Sequence, residues 1–345
     1  MPRVTVVCPT YNRGPALTAT LDSVRAQSVR DWELVVVSDA SDDGTDELVH
    51  RAAREDPRIR LLRCEQRHGH PSGPRNAALA GARGEIVAYV DHDDVWRADH
   101  LAVLLPLFDE GAELAATGHE SRDGQGRLTA ASEPLELCWH PEMQILAPLF
   151  EPSRVAHLRG LPERVGGWRT GAGLEDWDLW VRLTDAGVRF RTVRDRTAVL
   201  LDDAGTRRHR TPRPHRMPLA AFDDPRSAHA VLRALNDPHH DEAFRAACAL
   251  DVGGWLQRLS TTSEFTVPHG WTDAFGPAVD RMVRAMTPLW PDLVVVPQRP
   301  RRYVLAQRLW CSSTAHAERV TELARQVYGH QFALLDELVA VLGGV

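Results

Sequence analysis

Ile86-Val87-Ala88-Tyr89-Val90 is an uninterrupted apolar run, and Asp91-His92-Asp93-Asp94 follows it without a spacer. A short apolar stretch that stops abruptly at acids reads as a strand buried on both faces, with its C-terminal end opening on a cleft. Carboxylates there cost free energy unless a cation compensates them. A divalent metal does so. Hard oxygen ligands and a partly open coordination sphere suit Mg2+ or Mn2+, which also bridge a diphosphate. The competing explanation is that Asp93 and Asp94 cap a helix beginning near Ala98.

The segments around this run repeat its logic. Val4 to Cys8, Trp32 to Val37 and Ile59 to Leu62 are further buried strands. Leu17, Leu21 and Val24 recur at helical spacing after Gly14 and Pro15, and Leu48, Val49 and Ala52 do so after the turn-rich Ser38 to Thr45. Pro74 to Ala82 and Ala98 to Phe108 supply two more helices. The alternation predicts an α/β class, a Rossmann-like doubly wound and mostly parallel sheet with ligand chemistry on the loops at the strand C-termini. Downstream, Asp123-Gly124 between strand-like flanks predicts a hairpin within Leu114 to Ala131, and α/β patterning continues to about Leu201. Beyond Arg207 to Pro218, rich in proline and arginine, apolar residues recur every three or four positions, as in Ala243 to Leu259 and Ala315 to Leu342. A mainly helical C-terminal extension is expected over 216–345.

Composition removes several function classes. With 345 residues, 43% hydrophobic and 26% charged, the chain is long enough for a large domain and an appendage. A formal net charge of -6 argues against general affinity for nucleic acid. All 41 Lys+Arg residues are arginine, so no lysine serves as a Schiff base, a Walker-type phosphate ligand or a general base. Cys8, Cys64, Cys138, Cys248 and Cys311 are widely scattered, with no CxxC pair and no His/Cys zinc spacing, so free thiols are expected. No signal-peptide pattern follows Met1 and no apolar run reaches membrane-spanning length, which reads as a cytoplasmic protein without a membrane span.

Taken in order, Pro9-Thr10-Tyr11-Asn12-Arg13, Asp39-Ala40-Ser41-Asp42-Asp43-Gly44-Thr45, Gly73-Pro74-Arg75-Asn76, Gly84-Glu85, Asp91-His92-Asp93-Asp94, Gly166-Gly167-Trp168 and Glu175-Asp176-Trp177-Asp178 resemble the large inverting glycosyltransferase family two, of GT-A fold. The resemblance covers roughly the first 200 residues. It implies a GT-A domain over 1–215, with a nucleotide-binding half (1–110) and an acceptor-binding half (111–215). Donor-binding residues would be Pro9, Thr10, Tyr11, Asn12, Arg13, Asp39, Arg75, Asp91, His92 and Asp93. Thr10 and Tyr11 would line the base pocket, Asp39 would accept from a ring N–H, Arg75 would contact a phosphate or sugar hydroxyl, and Asp91 would approach the donor ribose or sugar. Asp93, with Asp91, would ligate the metal. This chain departs from the pattern at Asp39-Ala40, where many members have two acids followed by glycine.

Glu175-Asp176 is the second acidic centre, just ahead of the helical run Leu179, Leu183 and Ala186. Inverting transfer needs one base to take the acceptor proton, and the resemblance assigns this to Asp176. The competing explanation is that Glu175, Asp176 and Asp178 favour the positive end of a helix. Trp168, Glu175 and Trp177 fall on the acceptor side, where an indole face can stack on a sugar, core packing being the competing explanation for both tryptophans. His209, in the basic run Arg207 to Arg210, is a further metal-ligand candidate by the same resemblance.

The expected function is transfer of a sugar from a nucleotide-diphosphate donor, a UDP-sugar first, to a small-molecule or saccharide acceptor. The cofactor would be Mn2+ or Mg2+, and self-association through the C-terminal helices is a further expectation. The rival readings are a catalytically silent nucleotide-sugar binding module and a nucleotidyltransferase that makes sugar nucleotides. The latter resembles a pattern with a glycine-rich arginine loop and functional lysines, absent here.

Overall fold

Every residue of Val4–Thr10 (β1) and Trp32–Ser38 (β2) is buried, as strands covered on both faces require. The computed structural model describes residues 1–345 apart from 172–173, 202–212, 286–291, 300–301 and 344–345. β1 leads to α1 (Leu17–Arg25) and β2 to α2 (Thr45–Glu55). Next come β3 (Ile59–Arg63) and α3 (Ser72–Ala80), then β4 (Ile86–Tyr89), the short β5 (Val95–Trp96) and α4 (His100–Asp109). β3, β2, β1 and β4 lie side by side, all parallel, with Val4 opposite both Trp32 and Ile86.

Alternation along these strands sorts their side chains into two cores. Val4, Val6, Leu34, Val36, Ile86 and Ala88 pack with Leu17, Leu21, Leu101 and Leu104. Val7, Val35, Val37, Val87 and Tyr89 pack with Ala78, Leu79, Leu179 and Trp180 on the other face. Each Val, Leu or Ile side chain among them contributes about 1.5–3 kcal/mol, and together they outweigh the few kcal/mol that acids crowded at the strand ends cost. The turn before β4 requires glycine, because a Cβ on Gly84 would meet the Thr5 backbone nitrogen at 2.4 Å.

Asp123-Gly124 lies between β6 (Leu114–Arg122) and β7 (Leu128–Ala131), which pair as the expected hairpin. After α5 (Pro141–Leu146), β8 (Val155–Leu158) runs antiparallel to both β4 and β6. α6 (Glu175–Asp185) follows, and β9 (Phe190–Leu201) closes against β6 in parallel and β5 in antiparallel sense. The strand order is β3-β2-β1-β4-β8-β6-β9-β5.

Two compact units divide the chain, Met1–Thr211 with Thr266–Trp271, and Pro212–Phe265 with Thr272–Val345. The segment 266–271 therefore returns to the first unit. Trp139 and Thr266 exchange two backbone hydrogen bonds, each 2.9 Å, and the His269 N–H donates to Thr192 O at 2.7 Å.

The second unit holds β10 (His215–Phe222), α7 (Pro225–Leu235), α8 (Pro238–Leu259), α9 (Phe275–Ala285), β11 (Leu293–Arg299), β12 (Arg302–Leu309), α10 (Thr314–Val327) and α11 (Gly329–Leu342). The expected helices are present. An antiparallel sheet in the order β10-β12-β11, which the periodicity did not foretell, accompanies them. Buried Asp251 of α8 accepts the N–H groups of His330 (3.0 Å) and Gln331 (3.1 Å), satisfying the first turn of α11. No helix among the described residues is long and apolar enough to cross a membrane.

Candidate active site

Pro9 and Thr10 end β1 inside the core, with the Thr10 hydroxyl buried and unpartnered among the described residues. Beyond them Asn12 adopts a positive φ of 46°, which asparagine tolerates, and its side chain exchanges hydrogen bonds with Asp42. This turn presents Tyr11, whose ring is stacked 3.9 Å from the Arg67 guanidinium. Asp39, at the end of β2, is buried. Its Oδ1 accepts from the His68 N–H and lies 2.9 Å from His68 Nδ1, and its Oδ2 accepts from the Gly69 N–H. Asp39 thus pins the loop at His68 and Gly69.

The acids after β4 divide their duties. Asp91 receives the Arg75 guanidinium at 2.7 Å. Asp93 lies 3.4 Å from Arg13, which also donates to His92 Nε2 at 2.8 Å. Burial, and after it the charge of Asp91, push the Asp93 carboxyl above its ordinary range, while burial pushes His92 down. Asp94 is structural, because its oxygens accept from Ser153 Oγ (2.5 Å) and the Leu201 N–H (2.9 Å), tying β4 to the end of β9. Neither Asp93 nor Asp94 caps α4, whose N-cap is Asp99. The helix-capping explanation fails for this motif.

Arg75 is only 1% exposed and bridges the two acidic centres, reaching Asp91 from one amino group and Glu175 from the other at 3.1 Å, while lying 4.4 Å over the Trp168 ring. Burial opposes its charge, yet Asp91 and Glu175 hold it more firmly protonated than a free guanidinium. A side chain so enclosed is a brace, rather than the phosphate contact the sequence suggested. At α6, Glu175 is committed to Arg75 and lies 3.4 Å from His70. Asp178 holds Arg182, which grips Val165 O and Gly167 O. Asp176 forms no ion pair among the described residues, and burial, followed by the charge of Glu175, raises its pKa to about 7. It is half-buried, and its carboxylate accepts the Trp177 N–H of its own helix at 2.8 Å.

Residues 5–164 match the family described as glycosyl transferase family 2. The chain carries a family 2 glycosyltransferase domain. Succinoglycan biosynthesis protein ExoO of Rhizobium meliloti is 35% identical over 156 residues, 45% of this chain and 43% of ExoO. The UDP-Glc:alpha-D-GlcNAc-diphosphoundecaprenol beta-1,3-glucosyltransferase WfgD of Escherichia coli is 36% identical over 104 residues, 30% of this chain and 40% of WfgD. Among solved structures, S. aureus TarS 1-349 in complex with UDP-GlcNAc aligns with a TM-score of 0.51 at 22% identity over 60% of each chain, consistent with the GT-A fold. The chain spans less than half the length of these two curated relatives and 60% of the TarS chain.

Within the family 2 domain, the two tryptophans expected to stack on an acceptor are core residues. Trp168 is 3% exposed, donates to the Tyr89 hydroxyl at 3.1 Å and packs edge-on against Trp180. Trp177 is 2% exposed and donates to Gln144 O at 2.6 Å. Packing has used both rings, leaving no open face for a sugar. Asn76 meets the same turn, receiving the Trp168 N–H and donating to Trp168 O, which explains the link between two motifs distant in sequence. Sequence reasoning missed Ser153, which receives the Asp91 N–H while holding Asp94, and nothing local marked it. It also missed His70, whose one signal was the run Arg67-His68-Gly69-His70. His209 lies outside the described residues.

Proposed function

We propose that the chain transfers a sugar from a nucleotide-diphosphate donor, a UDP-sugar first, onto an acceptor hydroxyl with inversion at the anomeric carbon. The observation that carries this reading is the Arg75 brace. It joins the acids of β4 to the start of α6, next to an Asp176 carboxyl with a pKa near neutrality. In this reading residues 1–110 bind the donor and 111–215 the acceptor. Tyr11 and Asp39 take the base, Arg13 faces the diphosphate, and Asp176 accepts the hydroxyl proton as the acceptor oxygen bonds to the anomeric carbon and the bond to the diphosphate breaks. The names of ExoO and WfgD, a succinoglycan biosynthesis protein and a glucosyltransferase acting on a diphosphoundecaprenol-linked sugar, favour a saccharide acceptor over other small molecules. Residues 216–345 serve the acceptor side or self-association.

Asp91 and Asp93 fit a hard divalent cation. Two carboxylates suffice where phosphates and water complete the sphere, and the crowding that lifts the Asp93 pKa is what a cation relieves. His209 is a third candidate ligand. Mn2+ or Mg2+ held there would screen the diphosphate and stabilise its developing charge. The test is a thermal-shift series with UDP, TDP, GDP and CDP, with and without Mn2+. We expect UDP with Mn2+ to give the largest rise, about 2.7 kcal/mol at 100 times the dissociation constant, and Asp93→Ala to abolish the Mn2+ requirement. Equal responses in Asp93→Ala and wild type sink the metal assignment. Slow donor hydrolysis without acceptor separates an enzyme from a silent binding module.

A further inference from the structure

Away from the acids of β4 and α6, three side chains with metal-binding atoms meet at the C-terminal ends of β2 and β3. Asp39 directly follows β2. Cys64 directly follows β3, its N–H fixed to Ser38 O at 2.9 Å, and His68 comes from the loop beyond. One ligand atom from each lies within 4.8 Å of the other two. Asp39 and Cys64 are buried, while the His68 side chain is 47% exposed and leaves a way in.

We infer that Asp39, Cys64 and His68 form a site for a thiophilic divalent cation of the zinc type, separate from the oxygen-ligand site at Asp91 and Asp93. Cys64-x3-His68 is a short chelating loop, and the parallel pairing of Ser38 with Arg63 brings Asp39 to it from the next strand. Tetrahedral zinc, with bonds of about 2.0–2.3 Å, holds its ligand atoms about 3.3–3.8 Å apart. Closure of about 1 Å therefore completes the set, and His68 Nδ1 already lies 2.9 Å from Asp39 Oδ1. Thiolate and imidazole together select zinc over Mg2+ or Mn2+. Burial and then the Asp39 charge push the Cys64 thiol up, so it is protonated without an ion. On binding, the S–H bond breaks, its proton goes to water and sulfur bonds to the cation. The His68–Asp39 hydrogen bond gives way to two bonds to the ion, and no electron changes hands. Three protein ligands leave the fourth position to water. Sequence spacing alone does not reveal this site, because its third ligand comes from another strand.

The experiment is a Co2+ titration of the metal-free full-length chain, followed by thiolate-to-cobalt charge-transfer absorption. We expect a band that saturates at one equivalent, is displaced by Zn2+ but not by Mn2+, disappears in Cys64→Ser, and needs at least about tenfold more cobalt in His68→Asn. Zn2+ should raise the melting temperature of the wild type and leave that of Cys64→Ser unchanged, with Cys64→Ala as the replacement if serine unfolds the buried position. No band in the wild type, or an equal band in both Cys64 variants, overturns the site. Asp39 is shared with the proposed base pocket, but neither readout uses a donor or an acceptor, so failure of this site and failure of the transferase reading are distinguishable.

Discussion

The acids after β4 and those opening α6 divide their work in parallel ways. In each group one member is structural, Asp94 on Ser153 and Leu201, and Asp178 on Arg182. One member of each, Asp91 or Glu175, shares the buried Arg75. The remaining acids differ in their surroundings. Asp93 has Arg13 and His92 nearby, while Asp176 forms no ion pair among the described residues. The difference teaches that two acidic runs of similar appearance are given different surroundings by the cations the fold places beside them. In the proposed reading, one would hold a bound positive charge and the other would take a transferable proton.

The largest expected effect breaks the comparison at Asp176. Asp176→Asn should lower transfer about 10²- to 10⁴-fold with donor affinity nearly unchanged. In the wild type, transfer should rise with pH through about 7 as Asp176 ionises. The stability consequence has a definite sign. Between the ordinary carboxylate range and pH 7 the folded protein holds a proton that the unfolded chain has released, so this group's contribution to stability falls as pH rises across that window. Asp176→Asn should lack this slope and melt no lower than the wild type at pH 8. A lower melting temperature there with normal turnover per folded molecule would falsify the base assignment and restore helix stabilisation.

Removing the shared element comes next. Arg75→Gln leaves Asp91 and Glu175 without their common partner, and denaturant unfolding should show a loss of about 3–5 kcal/mol. A loss under about 1 kcal/mol would mean that the two acidic centres are held together by something else.

The smallest effect calibrates the other two. Ala40 sits at a φ of 59°, in the left-handed region that favours glycine. Ala40→Gly should stabilise by at most about 1 kcal/mol, since the relieved backbone strain is partly offset by added freedom in the unfolded chain. It touches neither acidic centre, so transfer should be unchanged; a large change in rate would show that the Asp39 loop communicates with Asp176.

The parallel half of the sheet was legible because Val4–Thr10, Trp32–Ser38 and Ile86–Tyr89 are apolar runs bounded by turns, and their burial follows directly from the pattern. The two acidic motifs were legible as motifs, but not as a division of labour. That division depends on Ser153, Arg13 and Arg182, which come from other strands and turns. The small sheet of the second unit was hidden because β10 and β12 are built from Met, Leu, Ala, Gln and Arg, good helix formers, and Pro218 and Pro297 break the alternation of β10 and β11. The choice between core packing and acceptor stacking stayed open for Trp168 and Trp177 because the hydrogen-bond partners that fix their indoles, Tyr89 and Gln144, are distant in sequence.

The return of residues 266–271 has a practical outcome for anyone recombining this chain. The polypeptide passes between its two units three times, so a stop codon at the first passage would delete the segment hydrogen-bonded to Trp139 and Thr192 along with the appendage. A chimaera that exchanges the appendage must be spliced as an internal cassette plus a tail, keeping 266–271 in frame. A family of such proteins diversifying its partners by recombination would be held to the same junctions.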